Sequence, residues 1–300
     1  MATAFFIALF VFGLAIGSFL NVLIWRYNPE EKLFSFKRLS GRSHCPYCGH
    51  ELNARELVPL LSFIIQKGLC RKCGHKLSIQ YPIVEFLGGA VFAGLPWFLN
   101  GFYNVSLSSF ANFSLSWWYY LILAVWIVST LTWIVIAVID IRDYVIPNEL
   151  NVILGCLGVI IGALFLAYGD KIYPFRSSFL EQYQLIFSPF QSIVLNRIFG
   201  MLAGGLFFGF LVLVSRGRGM GMGDVKLAIA SGLVLGWPDI ALATILSFLL
   251  GGLVGGILLA FGKKHIKDKL PFAPFFVSAV LLTVFLGHGI IGGYFGLFKI

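Results

Sequence analysis

Long runs without a charged residue constrain this 300-residue chain more than any other feature. Because a helix needs about 20 apolar residues to cross the hydrocarbon core of a bilayer, such runs indicate transmembrane helices. Together with the run at 78–99, which only Glu85 interrupts, they predict an all-α polytopic membrane protein with about eight transmembrane helices. The other runs lie at 2–25, 101–139, 150–169, 198–215, 227–238, 240–262 and 270–298.

The composition excludes a water-soluble globule. Hydrophobic residues make up 59% of the chain and charged residues only 12%, too few to cover a soluble surface. No basic region precedes the first run, and Trp25 and Arg26 close it as an interfacial anchor. The first helix is therefore expected to be retained and not cleaved as a signal peptide.

Lys and Arg concentrate in four segments, at 26–76, 142, 216–226 and 263–269. Positively charged connections stay in the cytoplasm, and eight crossings that keep all four segments there place both termini outside. This orientation signal accounts for the net charge of +9. Binding of nucleic acid is therefore not expected.

One predicted crossing is too short to be ordinary. Residues 225–237 precede Pro238 and would make about 20 Å of helix, against a hydrocarbon core of about 30 Å. The glycine-rich segment before it, 216–224, is therefore expected to sink into a protein or water cavity.

Two near-identical motifs, Cys45-x-x-Cys48-Gly-His50 and Cys70-x-x-Cys73-Gly-His75, lie in a loop predicted to be cytoplasmic. Paired Cys-x-x-Cys turns supply four thiolates in the geometry of a structural zinc site, without an open position for catalysis. Disulfides are the alternative that a reducing cytoplasm disfavours, and the two histidines are possible substitute ligands. The predicted division is therefore a first helix at 1–25, a zinc-binding loop at 26–78 and a membrane core at 79–300.

Asp140 and Asp224 are acids at the edges of predicted crossings, on the side assigned to the cytoplasm. Two close carboxylates share one proton, so that one activates water and the other donates a proton, as in aspartic proteases. Asp143 competes with Asp140 for this role, while Glu85 is expected to snorkel or to cap a helix. Two alternatives remain: an ion-coupled transporter with a carboxylate proton relay, and a membrane-tethered zinc-ribbon binding module.

Three glycines precede the second acid, at Gly219, Gly221 and Gly223. They would let an extended substrate strand approach the backbone, or they form only a turn that ends a helix.

Several segments carry a family resemblance over nearly the whole chain. They are 17–22 with Arg26, the two Cys pairs, 81–85, Asp140 seven residues before Pro147, 219–227 and 271–275. In this order they resemble the type IV prepilin peptidases, membrane aspartic proteases of the Gly-x-Gly-Asp type.

The resemblance implies that Asp140 and Asp224, not Asp143, form the catalytic pair, with Pro147 and the three glycines shaping the site. It implies cleavage of the basic leader of type IV prepilins or type II secretion pseudopilins, after a Gly at the cytoplasmic face of the bacterial inner membrane. It also implies N-methylation of the new N-terminus with S-adenosylmethionine, for which no binding residues are assigned. Ala273 stands where many relatives have Gly.

Overall fold

A computed structural model of the chain describes residues 2–31, 33, 41–103, 113–168, 177–188, 192–263, 265 and 268–297. Part of the predicted zinc-binding loop, at 32 and 34–40, lies outside these residues. The chain divides into two compact units, residues 1–99 and 100–300. The division into 1–25, 26–78 and 79–300 stays a prediction.

Within the described residues the fold is helical and contains no β-strand, which confirms the predicted all-α class. Short 3-10 turns lie at Ala54–Glu56 and Glu181–Tyr183. The α-helices are α1 (Ala2–Trp25), α2 (Leu61–Ile65), α3 (Gln80–Phe102), α4 (Phe113–Asp143), α5 (Asn148–Tyr168), α6 (Gln184–Phe187), α7 (Ile193–Ser215), α8 (Met222–Leu235), α9 (Asp239–Ala260) and α10 (Ala273–Leu297).

Seven of these helices are long and apolar enough to cross a membrane: α1, α3, α4, α5, α7, α9 and α10. The predicted eighth crossing corresponds to α8, which has 14 residues. At 1.5 Å per residue it is about 21 Å long, shorter than the hydrocarbon core. Gly236 ends α8 with a φ of +83°, a conformation that L side chains rarely adopt.

A buried arginine holds the end of α8. Arg197 of α7 is 3% exposed, and its Nη1 donates hydrogen bonds to the carbonyl oxygens of Leu233, at 2.9 Å, and Val234. These carbonyls lie in the last turn of α8, where a cation also complements the helix dipole. The guanidinium carbon lies 5.0 Å from the centroid of the Phe165 ring.

In the larger unit, α4 is the most deeply buried of the crossing helices, and α8 packs against α5 and α7. Trp133 of α4 is fully buried, and its Nε1 donates a hydrogen bond of 2.9 Å to Ser231 Oγ of α8. This bond connects the helix that carries Asp140 to the helix that carries Asp224.

Small residues let the backbones of α7 and α8 meet. A Cβ atom built at Gly200 would lie 2.7 Å from the carbonyl carbon of Gly236, and one at Gly204 would lie 2.9 Å from the Ala228 carbonyl oxygen. Gly232 faces Gly200 across the same contact. Close backbone approach through small residues is a common way for helices to associate in lipid.

In the smaller unit, α1 packs against α3 through glycines. A Cβ atom at Gly13 would lie 2.8 Å from Gly89 Cα, and one at Gly17 would lie 2.7 Å from Glu85 Cα. Toward the end of α1, the Asn21 side chain donates a hydrogen bond of 3.0 Å to the Tyr81 carbonyl oxygen. Both helices are therefore fixed beside the cysteine loop.

Gly200→Ala is expected to destabilise the protein by roughly 1–3 kcal/mol, because the methyl group would push α8 away from α7. Gly209→Ala, on the same helix with nothing within 4 Å of a built Cβ, is the matched control. The difference in stability is measured from the unfolding midpoints of the two variants in detergent. Equal midpoints for the two variants would contradict close α7–α8 packing.

Candidate active site and metal site

Asp140 occupies the last turn of α4 and is 5% exposed. Its Oδ2 accepts a buried hydrogen bond of 3.0 Å from the Ala273 backbone N–H, at the start of α10. A carboxylate in such surroundings needs a donor, and the unpaired N–H groups of a first helical turn provide one. The start of α10 therefore fixes the position of this carboxylate.

Asp143 lies in different surroundings although it is only three residues away. Its side chain is 25% exposed and pairs with Arg142, at 2.6 Å between Oδ2 and Nη2. The two acids that spacing had left open as candidates thus lie in different surroundings. Asp140 is the buried acid, and Asp143 is held by a neighbouring arginine.

The loop between α4 and α5 follows the helix that carries Asp140 and contacts the residue before Asp224. Its Pro147 is buried and directly precedes α5, a position typical of the start of a helix. Its Ile146 side chain contacts Gly223, where a built Cβ atom would lie 3.2 Å from Ile146 Cβ. A side chain larger than hydrogen at position 223 would therefore press on this loop.

Asp224 lies in the first turn of α8 and is partly buried. Its Oδ2 accepts a hydrogen bond of 3.1 Å from the Gly221 backbone N–H, so the acid caps its own helix. Lys226 Nζ donates a hydrogen bond of 2.8 Å to Asn148 Oδ1, which ties this turn to the start of α5. Gly219 and Gly221 are exposed on the approach to the acid.

The helix register shows that the first turn of α8 is recessed. Gly200 faces Gly232 and Gly204 faces Ala228, so the two helices are antiparallel and Asp224 lies level with Phe208. Phe208 precedes the last residue of α7, Ser215, by seven positions, or about 10 Å along the helix. The short predicted crossing required a recessed start of this kind.

An aromatic cluster lies at the level of the two acids. The Phe208 ring centroid is 5.5 Å from that of Phe272 and 5.8 Å from that of Phe276. Phe272 directly precedes Ala273, the donor to Asp140. The rings therefore form an apolar surface next to the segment that holds Asp140.

The two carboxylates influence each other. The Asp140 carboxylate acts electrostatically on Asp224, and both acids are withdrawn from solvent, Asp140 almost fully and Asp224 in part. Two interacting carboxyl groups can divide the roles of general base and general acid between them. The arrangement can therefore support acid–base hydrolysis.

Two contacts of this site were not assigned from sequence. Ala273 was singled out only for its difference from Gly, yet its backbone N–H binds Asp140. The bond between Lys226 and Asn148 had no sequence signal beyond the presence of Lys226 in the 219–227 segment. A backbone donor has no residue-type signature, so spacing alone does not reveal it.

The four cysteines of the predicted zinc-binding loop converge, and all four Sγ atoms lie within 4.8 Å of one another. The Cys45–Cys73 and Cys48–Cys70 sulfur pairs are both 4.0 Å apart. Thiolates around tetrahedral zinc, with Zn–S bonds of about 2.3 Å, would be about 3.8 Å apart. The cluster therefore fits a four-thiolate metal site, and the cysteines are free of disulfides.

Each knuckle has the same backbone. The Cys45 N–H donates to the His50 carbonyl oxygen and the Cys70 N–H to the His75 carbonyl oxygen, each at 2.9 Å. Gly49 and Gly74 both adopt a φ of +68°, which favours glycine. The sequence repeat is thus a structural repeat.

The two thiols of the second knuckle differ in pKa. Backbone N–H groups of Cys73 and Lys72 lower the pKa of Cys70 to about 6. The His75 backbone lowers that of Cys73, but burial and the neighbouring thiols outweigh it and raise the pKa to about 11. A bound cation would favour the thiolate at all four positions.

The histidines of the knuckles have other contacts. His50 Nε2 lies 3.5 Å from Glu56 Oε2, and the His75 ring centroid lies 3.5 Å from that of Tyr47. Among the described residues, the metal-ligand cluster consists of the four cysteines alone.

Glu85 is 8% exposed, and its Oε2 accepts a hydrogen bond of 2.8 Å from the Leu60 N–H, so it caps a backbone turn.

Comparison with known proteins identifies two family matches. Residues 11–99 match the bacterial peptidase A24 N-terminal domain, and residues 126–256 match the type IV leader peptidase family. The first match ends at residue 99, as does the smaller compact unit.

Curated relatives match over nearly the full length. A prepilin leader peptidase/N-methyltransferase of Bacillus subtilis is 32% identical, over 95% of this chain and 96% of the relative. Proteins of the same name from Aeromonas hydrophila and Legionella pneumophila are 27% and 28% identical, over 97% and 95% of this chain and 93% of each relative. No solved structure matches the chain.

Cys73→Ser is expected to reduce the bound metal to well below one ion per chain, because a hydroxyl group is a poor substitute for a thiolate ligand. Cys156→Ser, which alters an exposed cysteine of α5 outside the cluster, is the control. Elemental analysis of the purified proteins measures the number of metal ions bound per chain. Equal zinc in the two variants would contradict a four-thiolate site.

Proposed function

The chain belongs to the type IV leader peptidase family, and from this premise we propose that it removes the basic leader of type IV prepilins or type II secretion pseudopilins. The observation that carries the proposal is the pair of acids in the larger unit, one fixed by the Ala273 N–H and the other by the Gly221 N–H. The names of the matched relatives agree with it. They offer no support for a transporter or a tethered binding module.

Asp140 and Asp224 share one proton in the proposed mechanism. The ionised carboxylate removes a proton from a water molecule, whose oxygen attacks the carbonyl carbon of the scissile bond. The protonated carboxyl group donates to the carbonyl oxygen, which gives a tetrahedral gem-diol. The first carboxyl group then passes the proton taken from water to the nitrogen, and the C–N bond breaks as one hydroxyl group returns its proton to the second carboxylate, which releases the amine of the mature pilin. The recessed position of Asp224 keeps this chemistry in low-dielectric surroundings.

The glycine segment before Asp224 is proposed to receive the substrate in extended form. Gly219 and Gly221 are exposed and lack side chains that would block a strand. Gly223 has a different role, since a side chain at this position would press against Ile146. We assign Pro147 the role of starting α5 so that Ile146 and Asn148 meet the first turn of α8.

We propose that the site opens on the cytoplasmic side of the inner membrane. Arg142, Arg216, Arg218 and Lys226 flank the two acids in sequence, and positive charge favours that side. The proposed orientation keeps both ends of the chain outside. Seven crossings alone would separate the two ends, so the recessed α8 and its flanking residues must bring the chain across once more.

The four cysteines are proposed to hold a structural zinc ion. A closed thiolate shell leaves no position for a reactive water, so the ion contributes to folding of the loop and not to cleavage. The second proposed reaction is N-methylation of the pilin N-terminus. S-adenosylmethionine supplies the methyl group for that reaction.

Asp140→Asn and Asp224→Asn are each expected to reduce leader cleavage by about 100- to 10,000-fold, because each removes one acid–base partner. Asp143→Asn is the matched control and should cleave at a rate close to that of the unaltered protein. Mass spectrometry of a prepilin incubated with each purified variant measures the loss of the leader.

The same samples incubated with S-adenosylmethionine show whether the new N-terminus is methylated, which would increase the mass of the mature pilin by about 14 Da. Full cleavage by a folded Asp140→Asn or Asp224→Asn variant would overturn the assignment of the pair. Loss of cleavage in Asp143→Asn alone would move the role to Asp143.

A further inference from the structure

A cavity in the smaller unit shares no residue with the carboxylate pair. It lies between the end of α1, the start of α3 and the cysteine loop, and Asn21, Glu85, Cys45 and Cys70 are among its lining residues. No role in leader cleavage has been given to it. We call it the α1–α3 cavity.

The cavity contains a buried acceptor that needs a donor. Asn21 is 3% exposed, and its Nδ2 donates a hydrogen bond to the Tyr81 carbonyl oxygen. Its Oδ1 has no hydrogen-bond partner among the described residues. A buried amide oxygen without a donor is energetically unfavourable, because it has lost its hydrogen bonds to water. The position therefore suits a ligand that brings an N–H or O–H group.

Charged groups of both signs line the same cavity. Glu56 and Glu85 are 7% and 8% exposed, and each carboxylate has one backbone donor, from Asn53 at 2.9 Å and Leu60 at 2.8 Å. Arg26 supplies a guanidinium at the end of α1. The lining thus offers two carboxylates and one guanidinium.

S-adenosylmethionine carries the complementary set of charges, which are an ammonium, a sulfonium and one carboxylate. Its adenine and ribose add a flat apolar surface and hydroxyl donors. Trp25 and Tyr81 also line the cavity, with ring centroids 5.7 Å apart and planes at 7°, and provide an aromatic surface for a base. A phosphate headgroup would instead meet two buried carboxylates.

We propose that the α1–α3 cavity binds S-adenosylmethionine, with Asn21 and Glu85 as its buried polar contacts; this rests on the proposed N-methylation. Cys45 and Cys70 are lining residues, so the metal site forms part of the cavity wall. Its closed thiolate shell therefore supports the binding site without contributing to the reaction. Removal of the metal should weaken cofactor binding for the same reason.

Binding is tested by isothermal titration of the zinc-loaded full-length protein in nanodiscs with S-adenosylmethionine. Glu85→Gln keeps an acceptor for the Leu60 N–H but removes the charge, and is expected to weaken binding about tenfold or more. Asn21→Leu should weaken it as well. Glu51→Gln, an exposed acid of the same loop paired with Arg42, is the matched control and should bind as the unaltered protein does.

Asp224→Asn separates this proposal from leader cleavage. Normal binding of the cofactor by an Asp224→Asn protein that no longer cleaves supports both assignments. A protein that cleaves prepilin but does not bind S-adenosylmethionine overturns the cavity assignment alone. Binding that Glu85→Gln and Asn21→Leu leave unchanged also overturns it, while cleavage by Asp224→Asn would overturn only the peptidase assignment.

Amide hydrogen exchange of the unaltered protein provides a measurement that does not depend on the folding of any variant. Added S-adenosylmethionine should slow exchange in 52–63, which contributes Leu57, Ser62 and Phe63 to the cavity. Protection confined to other parts of the chain would contradict the site.

Discussion

Charged groups in apolar surroundings need partners from the protein itself, and the larger unit is organised around four of them. Asp140 binds the Ala273 N–H, Asp224 binds the Gly221 N–H, and Arg197 binds carbonyl oxygens at the end of α8. Asp239, at the start of α9, is fully buried and accepts hydrogen bonds from Ser178 Oγ and the Phe179 N–H. The Asp224 and Arg197 bonds satisfy the two ends of α8, while the Asp140 and Asp239 bonds satisfy buried acids on neighbouring helices.

This arrangement explains how a helix of 14 residues carries a site residue in a bundle of longer helices. Close glycine contacts with α7 set its register, and the Arg197 bonds hold its C-terminal turn. Its first turn then remains recessed, beside the aromatic cluster and the loop that contains Ile146. Because Asp224 lies in that turn, the packing of α8 determines where its carboxylate can act.

The two compact units carry different chemistry. Carboxylates in the larger unit suit acid–base hydrolysis. In the smaller unit, the four thiolates suit a structural metal, and the cavity with buried acids in its lining suits a cofactor. The family matches follow the same division, with residues 11–99 in one unit and 126–256 in the other. A bifunctional enzyme with this division can lose one reaction by substitution without losing the other.

The apolar runs, the paired cysteines and the glycine–aspartate segment determined much of this protein from sequence alone. They predicted helices, a four-cysteine cluster and a recessed α8, because length, periodic spacing and charge are local properties. The choice between Asp140 and Asp143 needed a family resemblance, since both lie on one turn. Tertiary structure distinguished their surroundings: Ala273 reaches Asp140 across 133 positions of sequence, and Asn21 and Glu85 meet at one cavity. Such contacts depend on how the helices pack. They cannot be predicted from the sequence, because every residue except proline has a backbone N–H and an amide oxygen can be paired or unpaired in the same sequence.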